Sequence, residues 1–246
     1  MQEKDLKPSV KQRVIFALVA ALLLGSSIAA YVMIVMGNNN INYSKMNMQQ
    51  LQDAYSEKNA ELDEVGEELS NTYFDEFKAY KKNVKAYNSS TANSNGVQSK
   101  DLKEGDGETI GDSGYAAYYI GWCSDESIFD SSFDNIKEPT ALKTPIIVEE
   151  QALIEGWYLG TEGMKLGGVR EITIPGPLAY GESQEICGGT NSPLKFIIMP
   201  VPISDRLKEL NSELDKIYSA LINAYSQTYS NTDENYDSDE ETTSGE

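Results

Sequence analysis

Residues 14–36 run for 23 positions without a charged side chain, and no other feature restricts the folding of this chain so severely. At 1.5 Å per residue a helix of that length spans roughly 34 Å, enough to cross the hydrocarbon core of a bilayer. The segment therefore reads as a transmembrane signal anchor. Lys4, Lys7, Lys11 and Arg13 precede it, whereas Asn38, Asn39 and Asn40 beyond it are neutral. The positive-inside bias then leaves residues 1–13 in the cytoplasm and carries everything after residue 37 across a cell membrane. A cleaved signal peptide is the alternative, with residues 14–24 as its apolar core and Gly25, Ser26, Ser27, Ala29 and Ala30 as a processing site. Residues 31–36 stay apolar past that site, so length favours the anchor. Both readings export the protein.

Export changes how the two cysteines are read, since an oxidising compartment favours disulfides. Charge removes one class of partner. With 20 basic against 39 acidic residues and a formal charge of −19, the chain lacks the clustered Lys and Arg that phosphate neutralisation needs, so no nucleic-acid partner is expected. Histidine is absent, which removes the imidazole base, the Ser-His triad and most zinc chemistry. No metal or cofactor is expected.

At 246 residues there is room for one ordinary domain and accessory segments. Leu51, Tyr55, Leu62, Val65, Leu69, Tyr73, Phe77, Tyr80, Val84 and Tyr87 recur at steps of three, four or seven, with Lys58 in the one gap. This spacing predicts a long coiled-coil-like helix over 44–88, a stalk awaiting a partner helix. Residues 89–100, rich in Ser, Thr and Asn, read as a flexible linker. Short β-type runs at 115–122, 146–148, 169–174 and 194–199 are separated by turn residues, and helical spacing returns only around Leu153, Ile154 and Trp157. A small antiparallel sheet with one short helix follows, of α+β class, over 101–203. A second stripe at Leu207, Leu210, Leu214, Ile217, Leu221 and Tyr225 predicts a C-terminal helix over 204–225. It is suited to dock on the first helix, in cis or in a homodimer. Residues 226–246, acidic and without a basic side chain, read as a disordered tail.

Five pieces occur in a telling order: Ile128-Phe129-Asp130-Ser131-Ser132, Ile154-Glu155-Gly156-Trp157, the glycine-flanked run from Gly163 to Arg170, Ile174-Pro175, and Leu178-Ala179-Tyr180-Gly181. Together they resemble the signature of the FKBP-type peptidyl-prolyl isomerases, over less than half of the chain. The resemblance implies an FKBP-like antiparallel half-barrel wrapped on one short helix, binding proline-containing unfolded or extended polypeptides. It implies Trp157 as the pocket floor, Tyr119, Phe129 and Phe196 as walls, Tyr180 as a hydroxyl donor and Asp130 facing the twisting amide. Leu153, Ile154 and Ile186 would contact substrate, with the Ile154 N–H as a further donor. It also sets Cys123 and Cys187 near the same rim, where they would form a disulfide; two separate thiols are the alternative.

Taken singly, each aromatic is more often core than site. A carboxylate beside Phe129 is what a mere core would not carry, since an unpaired buried charge is costly. The chain also departs from the family. Asn135 stands where an Arg commonly pairs with the Asp, and Thr140 follows Pro139 in place of an aromatic wall. These changes predict a shallower pocket and low turnover, and leave a catalytically weak binding module as the rival reading.

Overall fold

The computed structural model describes residues 41–111, 114–148 and 153–233. The expected cytoplasmic segment 1–13, the anchor 14–36 and the last part of the tail, 234–246, lie outside the described residues. Among the described residues no helix is long and apolar enough to cross a membrane. The chain divides into two compact units, residues 62–208 and residues 41–61 together with 209 onward.

The larger unit holds a six-stranded antiparallel sheet of β1 (Gln98–Lys103), β2 (Tyr115–Trp122), β3 (Ile128–Ser131), β4 (Ile146–Val148), β5 (Val169–Ile174) and β6 (Leu194–Val201). Strand order is β1-β5-β6-β2-β3, and β4 also pairs with β2. Since β3 takes Ile120 to Trp122 and β4 takes Tyr115 to Ala117, they divide one edge of β2 between them. The helices are α1 (Met48–Lys78), α2 (Ser89–Ser94), α3 (Glu155–Thr161) and α4 (Asp205–Asp233).

Successive strand residues face opposite sides. β2 sends Tyr115, Ala117 and Tyr119 to an inner face and Ala116, Tyr118, Ile120 and Trp122 to an outer one. β6 does the same with Leu194, Phe196 and Ile198 against Ile197, Met199 and Val201. A sheet apolar on both faces has to be covered on both. On the inner face Trp157 of α3 packs over β2, β5 and β6.

The outer face is covered by the helix that spacing alone offered as a stalk. Leu62, Val65, Leu69, Tyr73 and Phe77 of α1, followed by Tyr80, Val84 and Tyr87, pack with Tyr118, Ile120, Trp122, Ile197 and Met199. The Phe77 ring lies 6.0 Å from Tyr118 and 5.7 Å from Phe133. From residue 62 onward the stripe is thus part of the domain's own core. An apolar period reports that a face must be buried and not against what.

Two boundaries also differ from expectation. α1 is shorter than 44–88: Asn47 Oδ1 accepts the Gln50 N–H at 2.9 Å while Gln50 Oε1 accepts the Asn47 N–H at 3.0 Å, a reciprocal cap that starts the helix at Met48. It ends at Lys78, and a 3-10 turn, Ala79–Asn83, leads to extended backbone at Val84. Residues 89–100 are structured. Asn88 Oδ1 caps α2 through the Thr91 N–H at 2.8 Å, and Gln98, Ser99 and Lys100 begin β1 opposite Thr173, Ile172 and Glu171. Their polar composition suits an exposed edge strand, which needs no apolar alternation, and Asn caps a helix as readily as it makes a loop.

In the smaller unit Tyr43, Leu51, Ile217 and Leu221 are buried, with the partly exposed Ala54, Tyr55 and Ala220 packed against them, so the two stripes dock in cis there. Lys58 meets Glu61 at 2.8 Å and Glu213 at 3.1 Å. The expected helix end at 225 is passed: α4 reaches Asp233, with no Gly or Pro between 226 and 233 to stop it.

Candidate active site

Ile154, with φ −61° and ψ 144°, is the N-cap that turns the chain into α3. Three residues on, Trp157 is 3 % exposed, at the base of a concave aromatic group on the inner face. Its ring centroid lies 5.8 Å from Tyr119 and 5.4 Å from Phe196, at 81° and 70° between planes, and Phe129 stands at 90° to Phe196, 5.6 Å away. These edge-to-face contacts suit the aromatic quadrupole. Phe129 is the extra residue of a bulge, since Gly121 pairs with Asp130 and Trp122 with Ile128. Gly121 makes the space: a Cβ there would come within 2.7 Å of both Phe129 and Phe196 ring carbons.

The floor is buried and the rim is open. Tyr119, Phe129, Leu153, Ile154, Tyr180 and Ile186 are all half-buried and pack on the same cluster, so the structure brings these expected site residues together with Trp157 and Phe196. Asp130 is exposed at the edge, where its Oδ2 accepts the Tyr119 hydroxyl at 2.5 Å and its Oδ1 accepts the Ser131 N–H at 2.8 Å. Burial, then the bond to Asp130 and its charge, pushes the Tyr119 phenol far up. Burial first and Asp130 second raise Tyr180 as well. Among the described residues the Tyr180 hydroxyl has no protein partner.

Asp130 thus has the Tyr119 hydroxyl as its side-chain partner. Asn135 and Thr140 serve the loop instead. Asp134 accepts the Asn135 N–H at 2.7 Å, the Thr140 N–H at 3.0 Å and hydroxyl at 2.5 Å, and the Ala141 N–H at 3.1 Å. The Thr140 hydroxyl leads these donors in holding the Asp134 carboxyl well below the usual carboxylate range. Spacing gave no sign of this hub, because Thr140 reads only as an aromatic that is missing.

A disulfide joins Cys123, just past β2, to Cys187, with Cα atoms 5.3 Å apart. Cys187 (φ +58°) and Gly188 (φ +83°) sit at the tip of a tight turn closed by Ile186 and Gly189. Further functional groups escaped the sequence reading. Ser132 Oγ accepts the Tyr119 N–H at 2.9 Å and its own N–H reaches the Tyr119 carbonyl at 2.9 Å, so the second Ser after Asp130 fixes the wall residue. Under the floor, the Trp157 Nε1–H donates to the Tyr115 hydroxyl at 3.0 Å. Tyr115 shares a strand face with Tyr119 four residues on, which is the only signal the sequence offered.

Residues 111–199 match the family described as FKBP-type peptidyl-prolyl cis-trans isomerase. An "FK506-binding protein" of Neisseria meningitidis serogroup B is 33 % identical over 109 residues, 44 % of this chain and 94 % of the relative. The chain belongs to this isomerase family. It is a peptidyl-prolyl cis-trans isomerase. A "Peptidyl-prolyl cis-trans isomerase" of Saccharomyces cerevisiae is 33 % identical over 87 residues, 35 % of the isomerase and 20 % of that protein. A solved peptidyl-prolyl cis-trans isomerase of Pseudomonas syringae superposes with a TM-score of 0.37 at 23 % identity, covering 52 % of the isomerase and 90 % of that chain.

Proposed function

We propose that the isomerase turns X-Pro bonds in extended, exported polypeptides on the outer side of a membrane, to which residues 14–36 hold it. One observation carries the chemistry: Tyr119, Phe129 and Phe196 meet around the buried Trp157, with Asp130 at the open edge. Amide resonance opposes X-Pro rotation with a barrier of roughly 18–20 kcal/mol. No nucleophile and no proton transfer are needed. A dry aromatic floor favours the twisted amide, whose dipole is smaller than that of the planar form.

In this reading Trp157 lies beneath the proline ring, Tyr119, Phe129 and Phe196 flank it, and Leu153 and Ile186 extend the apolar contact. The Tyr180 hydroxyl and the Ile154 N–H donate to substrate carbonyls, and Asp130 faces the rotating amide. Both phenols stay protonated through the neutral range, so the donor is present at every physiological pH. Proline-limited refolding of a client protein tests the reading. The full chain should accelerate it and Trp157→Leu should abolish most of the acceleration; an equally active Trp157→Leu would sink the floor assignment.

Placement outside the membrane is supported by the charge pattern around 14–36 and by the disulfide, which fits an oxidising compartment. Added protease should digest residues beyond 37 in intact cells that lack an outer barrier, leaving the Lys-bearing N-terminus protected. Protection of the isomerase domain would refute this placement.

A further inference from the structure

We infer that Tyr115 and Thr161 are positioning residues for the isomerisation, forming with Trp157 a closed hydrogen-bond ring that holds the indole flat beneath the pocket. The inference rests on Trp157 being the floor, as proposed above. The ring starts and ends on one residue. The Trp157 Nε1–H donates to the Tyr115 hydroxyl at 3.0 Å, that hydroxyl donates to Thr161 Oγ1 at 3.3 Å, and the Thr161 hydroxyl donates to the Trp157 carbonyl at 2.9 Å. The Thr161 hydroxyl also lies 3.4 Å from the Tyr158 carbonyl, so its shorter bond to the Trp157 carbonyl is the ordinary backward bond of a helical Thr.

Burial makes the ring matter. Trp157 and Thr161 are each 3 % exposed and Tyr115 is 6 %, and an unpaired buried N–H is costly. Tyr115, Ala117 and Tyr119 alternate large, small and large along the inner face of β2, which leaves a slot for the indole between two phenols. The Tyr119 ring meets the indole at 81° between planes, and the Tyr115 hydroxyl accepts from the indole nitrogen. Burial, the largest influence on it, pushes the Tyr115 phenol up, which keeps its hydroxyl a donor to Thr161 at all working pH values. The ring therefore ties side-chain rotamer and helix backbone of Trp157 to one strand.

The test uses the full chain with Tyr115→Phe, Thr161→Val and Thr161→Ser. Tyr115→Phe keeps the aromatic ring and removes only the oxygen. We expect kcat/KM on a proline peptide to fall about five- to tenfold in Tyr115→Phe and Thr161→Val, as misplacement of a positioning group predicts, and to recover in Thr161→Ser. The Trp157 indole N–H resonance should shift and exchange faster in the two impaired variants. The Trp122 indole, bonded to the Lys85 carbonyl at 3.0 Å, serves as an internal control and should not move. Wild-type kcat/KM with an unshifted Trp157 resonance in Tyr115→Phe would overturn the inference. If Trp157→Leu is impaired while both ring variants are not, the ring is structural and the floor reading survives. If Trp157→Leu is fully active, the floor reading falls and the inference with it.

Discussion

The two faces of one sheet are finished in opposite ways. On the outer face Tyr118, Ile120, Trp122, Ile197 and Met199 are completely buried beneath Phe77 and its neighbours. On the inner face Trp157 and Phe196 are buried but Tyr119, Phe129, Tyr180 and Ile186 keep open edges. Both faces are rich in aromatics, so composition does not separate them. What separates them is completion: the outer face is closed by the chain itself, and the inner face keeps the open edges at which we propose substrate binds. The closing helix lies before residue 111, outside the stretch that matches the isomerase family. Stability and function are therefore divided between the faces.

The sharpest way to break this division is to damage each face in turn. Phe77→Ala removes a ring that is 0 % exposed and should cost about 3–5 kcal/mol, lowering Tm by about 10 °C. Activity of the folded fraction should stay near wild type. Trp157→Leu should show the reverse balance, with a larger loss of kcat/KM than of stability. Parallel losses in both variants, measured by thermal melts and peptide isomerisation, would show that the faces are not separable.

Reduction of Cys123–Cys187 strikes the boundary between the two. The bridge spans 64 residues, for which chain entropy gives up to about 4 kcal/mol. It also ties the turn carrying Ile186 to the end of β2. Reducing agent should lower Tm by several degrees and raise KM more than it lowers kcat, because the floor stays in place. A reduced protein with unchanged KM would remove the turn from the substrate site.

How far the sequence foretold this division depends on the kind of signal. Tyr119, Phe129, Trp157 and Phe196 were legible because the resemblance to the family's motif order implies them as floor and walls of one pocket. The stripe from Leu62 to Tyr87 was legible as a buried face, but its partner was not, since a helical period is the same against a second helix or a sheet. β1 was hidden by its polarity, which an exposed edge strand permits. Tyr115 escaped because its bonds to Trp157 and Thr161 cross the fold, and Thr161 because its backward bond within the helix is one that any helical Thr can make.

Gly66 gives a smaller test of the outer face. In a free helix Gly→Ala stabilises by about 1 kcal/mol. Here a Cβ would lie 2.4 Å from Thr144 Oγ1 and 3.3 Å from its Cβ, on the loop before β4. Gly66→Ala should therefore destabilise by about 1–2 kcal/mol, the overpacking outweighing the helical gain. A stabilised variant, in urea titration, would show that the helix only rests loosely on that loop.

The smallest effect expected also has the opposite sign. Tyr118 is wholly buried on the outer face, between Tyr73 and Phe77, and among the described residues its hydroxyl has no hydrogen-bond partner. Burial accordingly raises its phenol far above the usual range. A hydroxyl taken from water without a partner opposes folding, while the ring it sits on favours it. Tyr118→Phe keeps the ring and discards the oxygen, so the outer face should become more stable by about 1 kcal/mol, with no change in kcat/KM because the side chain points away from Trp157. The same deletion on the inner face, Tyr119→Phe, removes the donor to Asp130 and should impair turnover. Two adjacent tyrosines on one strand would then answer one substitution in opposite ways. If Tyr118→Phe instead destabilises the protein, its hydroxyl has a partner, and the outer face is more polar than its burial implies.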